Sequence, residues 1–150
     1  MNKDLFEILT KEAQKDNISR HVVGAVVEKD FEILLLERPK EDFMGGIYEL
    51  PGGEVEKGES LDVTLYREIN EETGLKIKSI NKYLGHFDYT SQSGKITRQF
   101  NFVVSVEKPL NIKLQEHVNF VWVNKDSLLQ YPVTDSVKQI LKVFEESLKK

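Results

Sequence analysis

The chain has 150 residues, 39% hydrophobic and 31% charged, with a formal net charge of −4 at pH 7 and no cysteine. That length suits one domain with an ordinary core, and the missing cysteines exclude disulfides, thiolate metal sites and a cysteine nucleophile, leaving oxygen or imidazole to hold any metal. The slight negative balance gives no net pull toward duplex nucleic acid, and neither a signal peptide nor a membrane-spanning run is legible, so a cytoplasmic protein with no membrane partner is expected.

In chain order, Leu5, Ile8 and Leu9 follow helical spacing in a segment that ends near Asn17, which predicts a short amphipathic helix. Residues 1–17 are therefore read as a helical extension, a cap or a contact for a homodimer, before a main domain at 18–150. Two runs of β-branched and aliphatic residues, 21–28 and 31–37, are separated by Lys29 and Asp30 and predict a hairpin. A glycine-rich passage, Gly45 to Gly53 with Pro51 inside it, leads through a polar loop to a strong helix at 61–73 that Gly74 stops; Ser60 is the expected N-cap. Strands are expected at 77–84, 97–106 and 118–123, the second alternating Phe100, Phe102 and Val104 on one face, with a flexible loop at 90–95. Val137, Ile140, Leu141, Phe144 and Leu148 recur at helical intervals, and Thr134 or Asp135 is available to cap that last helix. The elements add up to an α+β domain with a central mixed sheet.

The helix at 61–73 breaks a rule. Leu61, Leu65 and Ile69 form an apolar stripe, yet Glu68 and Glu72 lie at its edge and Glu71 on the adjoining flank. Acids three and four residues apart repel, and acids near a helix C-terminus oppose its dipole. Arg67 offsets part of this. A hard divalent cation such as Mg²⁺, with Mn²⁺ as an alternative, wants such oxygen donors and would turn the repulsion to use.

Gly53, Glu59, Arg67, Glu68, Ile69, Glu71, Glu72, Gly74 and Leu75 reproduce the pattern G-x5-E-x7-R-E-U-x-E-E-x-G-U, U being aliphatic. On these residues the chain resembles the Nudix hydrolases, and the flanking elements from about His21 to Phe144 suit that family's α/β/α sandwich. The resemblance implies that Glu68, Glu71 and Glu72, with the Gly52 carbonyl, hold metal; that Arg67 keeps the carboxylates in register; and that Glu59 steadies the loop-helix junction. It further implies a catalytic base drawn from Glu71, Glu72 or a later loop acid, for which Glu116 stands in the matching place and would also reach the metal. Arg38 matches a phosphate-binding arginine of MutT-like members, Asp135 lies where those enzymes address the base unless it only caps the last helix, and Arg98 and Tyr89, on the central strands or their connecting loop, are placed to contact phosphate or stack on a base. No histidine is given a role, because His21, His86 and His117 lack metal-site spacing.

The implied activity is cleavage of a phosphoanhydride in a nucleotide-type small molecule, foremost a MutT-like conversion of a nucleoside triphosphate to monophosphate and pyrophosphate. ADP-ribose, dinucleoside polyphosphates and nucleotide sugars are the alternative substrates. A non-catalytic nucleotide sensor is a third reading, disfavoured because such domains usually degrade the box glutamates. The isomerase branch relies on a cysteine that this chain lacks.

Overall fold

A computed structural model describes residues 1–41 and 44–149. Helix α1 (Lys3–Lys15) is opened by Asn2, whose side chain accepts the Asp4 amide at 2.9 Å. Its inward face is Phe6, Leu9 and Ala13, not the expected Leu5, Ile8 and Leu9 set. Ile8 is exposed and Leu5 half-buried. The Phe6 ring decides the orientation: it packs against Phe102 with centroids 5.5 Å apart, and an aromatic side chain carries the larger burial energy.

Strands β1 (Arg20–Lys29) and β2 (Glu32–Glu37) form the expected antiparallel hairpin. Its turn is one residue later than read: Asp30 and Phe31 take φ of 47° and 68°, a pair of left-handed residues that matches the strand twist, and Phe31 projects into solvent. Two short strands follow, β3 (Tyr48–Glu49) on β2 and β4 (Gly52–Glu54) on β1. Helix α2 (Leu61–Thr73) has the bounds the periodicity gives and ends on Gly74 in the left-handed region. Ser60 stands at its N-cap position without a side-chain cap bond.

Strand β5 (Ile77–Thr90) runs further than expected and includes Tyr89, and it pairs antiparallel with β6 (Ile96–Val106). Strand β7 (Asn119–Asn124) pairs with β2. A 3₁₀ turn, Lys125–Gln130, leads toward helix α3 (Asp135–Ser147). Thr134, not Asp135, caps α3: its Oγ1 accepts the Val137 amide at 3.2 Å, and Asp135 occupies the first turn, where its charge still suits the dipole. Leu148 falls just past the helix and is exposed.

The sheet is mixed, since β1 and β6 run parallel for most of their length while their other pairings are antiparallel. Alternation on its strands divides the interior in two. Val23, Ala25, Phe100, Phe102 and Val104 face α1 and α2, while Val26, Val103 and Leu84 face α3. This is the α/β/α sandwich expected, with α1 an integral part of one layer. Leu61, Leu65 and Ile69 are each 0% exposed, and each such side chain stabilises by about 1.5–3 kcal/mol. No helix is long and apolar enough to cross a membrane.

Because α1 shares the core with α2 and the sheet, Phe6→Ala is expected to cost about 3–4 kcal/mol in a single unfolding transition followed in urea. A separate early transition for α1, or a loss under 1 kcal/mol, would show that it rides outside the core.

Candidate active site

Antiparallel pairing of β4 with β1 sets Gly52 opposite Gly24 and Gly53 opposite Val23, at the foot of α2. Glycine is required at 52, because a Cβ there would overlap the Val23 carbonyl, and a Cβ at 53 would displace the Glu68 carboxylate. The turn thus passes flush against the acidic side of α2. The Gly52 amide donates to Glu72 Oε1 at 3.0 Å, tying the loop backbone to the helix at its C-terminal half.

Arg67 neutralises the other acids. Its Nε donates to Glu59 Oε2 at 2.6 Å, its Nη2 to Glu59 Oε1 at 2.9 Å, and its Nη1 to Glu68 Oε1 at 2.7 Å and Glu71 Oε2 at 3.2 Å. Nη2 also reaches the Glu54 carbonyl at 3.0 Å. Glu59 in turn accepts from the Glu56 amide and the Thr64 hydroxyl, so the entry loop, the first turn of α2 and the acidic segment hang on one guanidinium. The bonds from Arg67 hold the Glu59 carboxyl down at about 2. They do not protect Glu68 and Glu72 equally: burial raises Glu68 despite Arg67, and deeper burial lifts Glu72 to about 7.

Glu72, Gly52 and Gly53 open on a cleft of about 770 Å³. Arg38 and Glu49 form the adjoining wall, Arg38 Nη1 donating to Glu49 Oε1 at 3.2 Å. Among the described residues, Arg38 Nε is buried and bonded to nothing, so the guanidinium fork is only partly used. On the remaining sides lie Phe87, Tyr89 and the hairpin tip Ser91 to Ser93, and Thr134, Ser136 and Val137 at the start of α3.

Several residues sit otherwise than expected. Arg98 is 6% exposed and pairs with Asp88 at 2.8 Å and Asp16 at 3.1 Å; it shares the strand face of Phe100, so it fastens the end of α1 to the sheet instead of entering the cleft. Glu116 is exposed and Asp135 likewise, and neither lines the cleft. The loop before β7 instead turns His117 inward, where Nε2 meets Glu49 Oε2 at 2.6 Å. Burial opposes its charge, but the bond to Glu49 and the nearby Glu72 carboxylate outweigh that and raise its pKa. His117 and Glu49 are what sequence reasoning missed. Their only signal is register, since Glu49 pairs across from Leu36 beside Arg38, and that is visible only after folding.

The donor set fits a hard divalent cation: carboxylates from Glu68, Glu71 and Glu72 and a carbonyl at Gly52, around a turn that only glycine can bring so near. Among the described residues no three acidic or imidazole side chains already converge on one point, because Arg67 stands between Glu68 and Glu71.

The NUDIX domain family matches residues 19–144. The CTP pyrophosphohydrolase of Escherichia coli (strain K12) is 32% identical over 123 residues, 82% of this chain and 89% of that protein. An ADP-ribose pyrophosphatase of Methanocaldococcus jannaschii is 48% identical over 60 residues, only 39% of this chain and 35% of its own length. The crystal structure of a MutT protein from Methanosarcina mazei Go1 superposes with a TM-score of 0.73 at 26% identity, covering 87% of this chain and 96% of that one.

Since Glu59 is depressed in the folded state, its contribution is full above its ordinary value of 4.5 and fades as pH falls toward about 2. Glu59→Gln is accordingly expected to lose about 2 kcal/mol at pH 7 and progressively less below pH 4.5, measured by urea unfolding across pH. An equal loss at pH 2.5 and pH 7 would contradict the Arg67 pairing.

Proposed function

The chain belongs to the Nudix family of hydrolases, and from that premise we propose that it is a Mg²⁺-dependent nucleoside triphosphate diphosphatase of the MutT-like kind, with Mn²⁺ able to substitute. The observation that carries this reading is the meeting of Glu72, the Gly52–Gly53 turn and the half-used Arg38 fork in one cleft, an arrangement suited to a phosphate chain. A relative that is 32% identical over 82% of the chain acts, by its name, on CTP.

In this reading Glu68, Glu71 and Glu72, with the Gly52 carbonyl, hold the cation. Bound there, it supplies charge neutralisation along the phosphates and activation of a water nucleophile. Water oxygen bonds to a phosphorus of the α–β anhydride, the bridging P–O bond breaks, and the products are nucleoside monophosphate and pyrophosphate. The proton shed by water passes to a carboxylate oxygen of Glu71 or Glu72. Glu116 is the weaker nominee for that task because of its outward position.

Arg38 binds the phosphate chain by exchanging Glu49 for a phosphate oxygen, and His117 keeps Glu49 in place when it does. Arg67 acts through the carboxylates it holds. Phe87 and Tyr89 offer an aromatic surface for the base. The short, strong likeness to an ADP-ribose pyrophosphatase falls on a part of each chain and keeps ADP-ribose as the second substrate to test.

Glu72→Gln should fold as the parent does by circular dichroism and lose at least a hundredfold in kcat, with monophosphate and pyrophosphate as the products of the parent by ion-exchange chromatography. Arg38→Ala should chiefly raise KM for triphosphates. Wild-type turnover by Glu72→Gln, or a parent that cleaves ADP-ribose and no triphosphate, would overturn the proposal.

A further inference from the structure

On the open end of the sheet, Gln99 and Asn101 of β6 face the cleft side of β1, paired with Val22 and Gly24 respectively. Gly24 also pairs with Gly52 on its other edge. The two amides therefore stand two strand spacings, about 9–10 Å, from the turn beside Glu72. That is the direction in which a nucleotide whose phosphates lie at the turn extends its sugar and base.

The orientation of both amides is settled by their partners. The Asn101 amide has two carbonyls at one end, Gly85 O and Gln99 O, both at 3.2 Å. That end must be the nitrogen. Gly85 can present its carbonyl because it sits at a β-bulge with φ 109°. Asn101 Oδ1 is then an obligatory acceptor, and it takes a hydrogen bond from Gln99 Nε2 at 2.9 Å. Space for this pair exists only because residue 24 is glycine: a Cβ there would overlap Gln99 Nε2 and come 2.7 Å from Asn101 Oδ1.

The consequence is a fixed polar edge. Turning the Gln99 amide over would set its oxygen against Asn101 Oδ1, two acceptors with no proton between them. Asn101 is 0% exposed, so no solvent relieves that clash. Among the described residues nothing donates to Gln99 Oε1, and the atom is not sealed from solvent. Phe87, directly opposite Gln99 on β5, adds an aromatic face to the same part of the cleft.

Resting on the nucleotide reading above, we propose that Gln99 determines base specificity: its Oε1 accepts a hydrogen bond from an exocyclic amine, and Asn101 locks it in that sense. The cleft then takes amino-bearing bases, cytosine or adenine, over their keto counterparts uracil and hypoxanthine. An amide facing an amine and its neighbouring ring nitrogen is a complementary pair, while a carbonyl at the same place meets Gln99 oxygen to oxygen. The discrimination expected is roughly tenfold to a hundredfold.

Two measurements test it. First, kcat/KM is compared for CTP against UTP and for ATP against ITP, with the parent and with Gln99→Leu. The parent should favour the amine in the base size it turns over faster, and the variant should bring that ratio close to one. Second, calorimetry compares CMP with UMP and AMP with IMP on the parent, which needs neither turnover nor a folded variant. Equal handling of amine and keto partners in both pairs overturns the inference, as does an amine preference that Gln99→Leu leaves unchanged. It is equally overturned if the variant weakens CTP and UTP alike while the parent separates CTP from dCTP, since the donor would then be the ribose hydroxyl. A protein that hydrolyses no triphosphate yet binds CMP over UMP would sink the proposed reaction and keep the base reading. Cleavage of all four triphosphates at one rate would do the reverse.

Discussion

The loop entering helix α2 and that helix's Glu68 and Glu71 depend on one guanidinium. Helix α2 must carry acids where its dipole and its neighbours disfavour them, and Arg67 makes this tolerable by bonding Glu59, Glu68 and Glu71 together with the Glu54 carbonyl. The apolar stripe of Leu61, Leu65 and Ile69 fixes the helix against the sheet. Arg67 then fixes the loop against the helix, so the acidic segment is held on rigid elements beside the Gly52–Gly53 turn, with Glu72 opening on the cleft. Glu72 lies beyond its reach and rests instead on the Gly52 amide, and burial lifts its carboxyl to about 7. A divalent cation would relieve both burdens at once, which gives a physical reason for the pattern as well as a family one.

The cleft itself is a product of strand parity. On β1 and β6, one set of alternate residues is consumed by the core under α1 and α2, and the other set is covered by α3 only at one end of the strands. Toward the uncovered end the same set turns polar, with the buried Asn101 and then the cleft-lining Gln99 and Arg20 following on from Val26 and Val103. A core face thus grades into a binding face within single strands. Arg98 illustrates the rule from the other side, because its parity sends it toward α1, where Asp16 and Asp88 hold it.

Much of this was legible before folding. The α2 bounds, the Gly74 stop and the hairpin follow from periodicity and turn chemistry, the layer order follows from the family resemblance, and the acidic segment stood out because it violated helix electrostatics. What escaped were contacts between segments distant in sequence. Nothing local distinguishes His117, which turns in, from Glu116, which turns out; the choice depends on Glu49 waiting 68 residues earlier in the chain. The buried stripe of α1 was misread because apolar residues at 5, 6, 8 and 9 offer overlapping faces, and Phe102 selects among them. Thr134 and Asp135 are both competent caps, and only the folded chain shows that Thr134 holds the N-cap position and bonds the Val137 amide.

The measurement that bears most directly on the account is a titration of the protein with Mn²⁺, followed by the loss of the free-ion electron paramagnetic resonance signal, without nucleotide, for the parent and for Glu72→Gln. The account predicts saturable uptake by the parent, competition by Mg²⁺, and uptake much weakened in the variant. A parent that leaves all Mn²⁺ free, or a variant that binds it as tightly as the parent, would contradict the claim that the α2 glutamates are gathered to hold a cation.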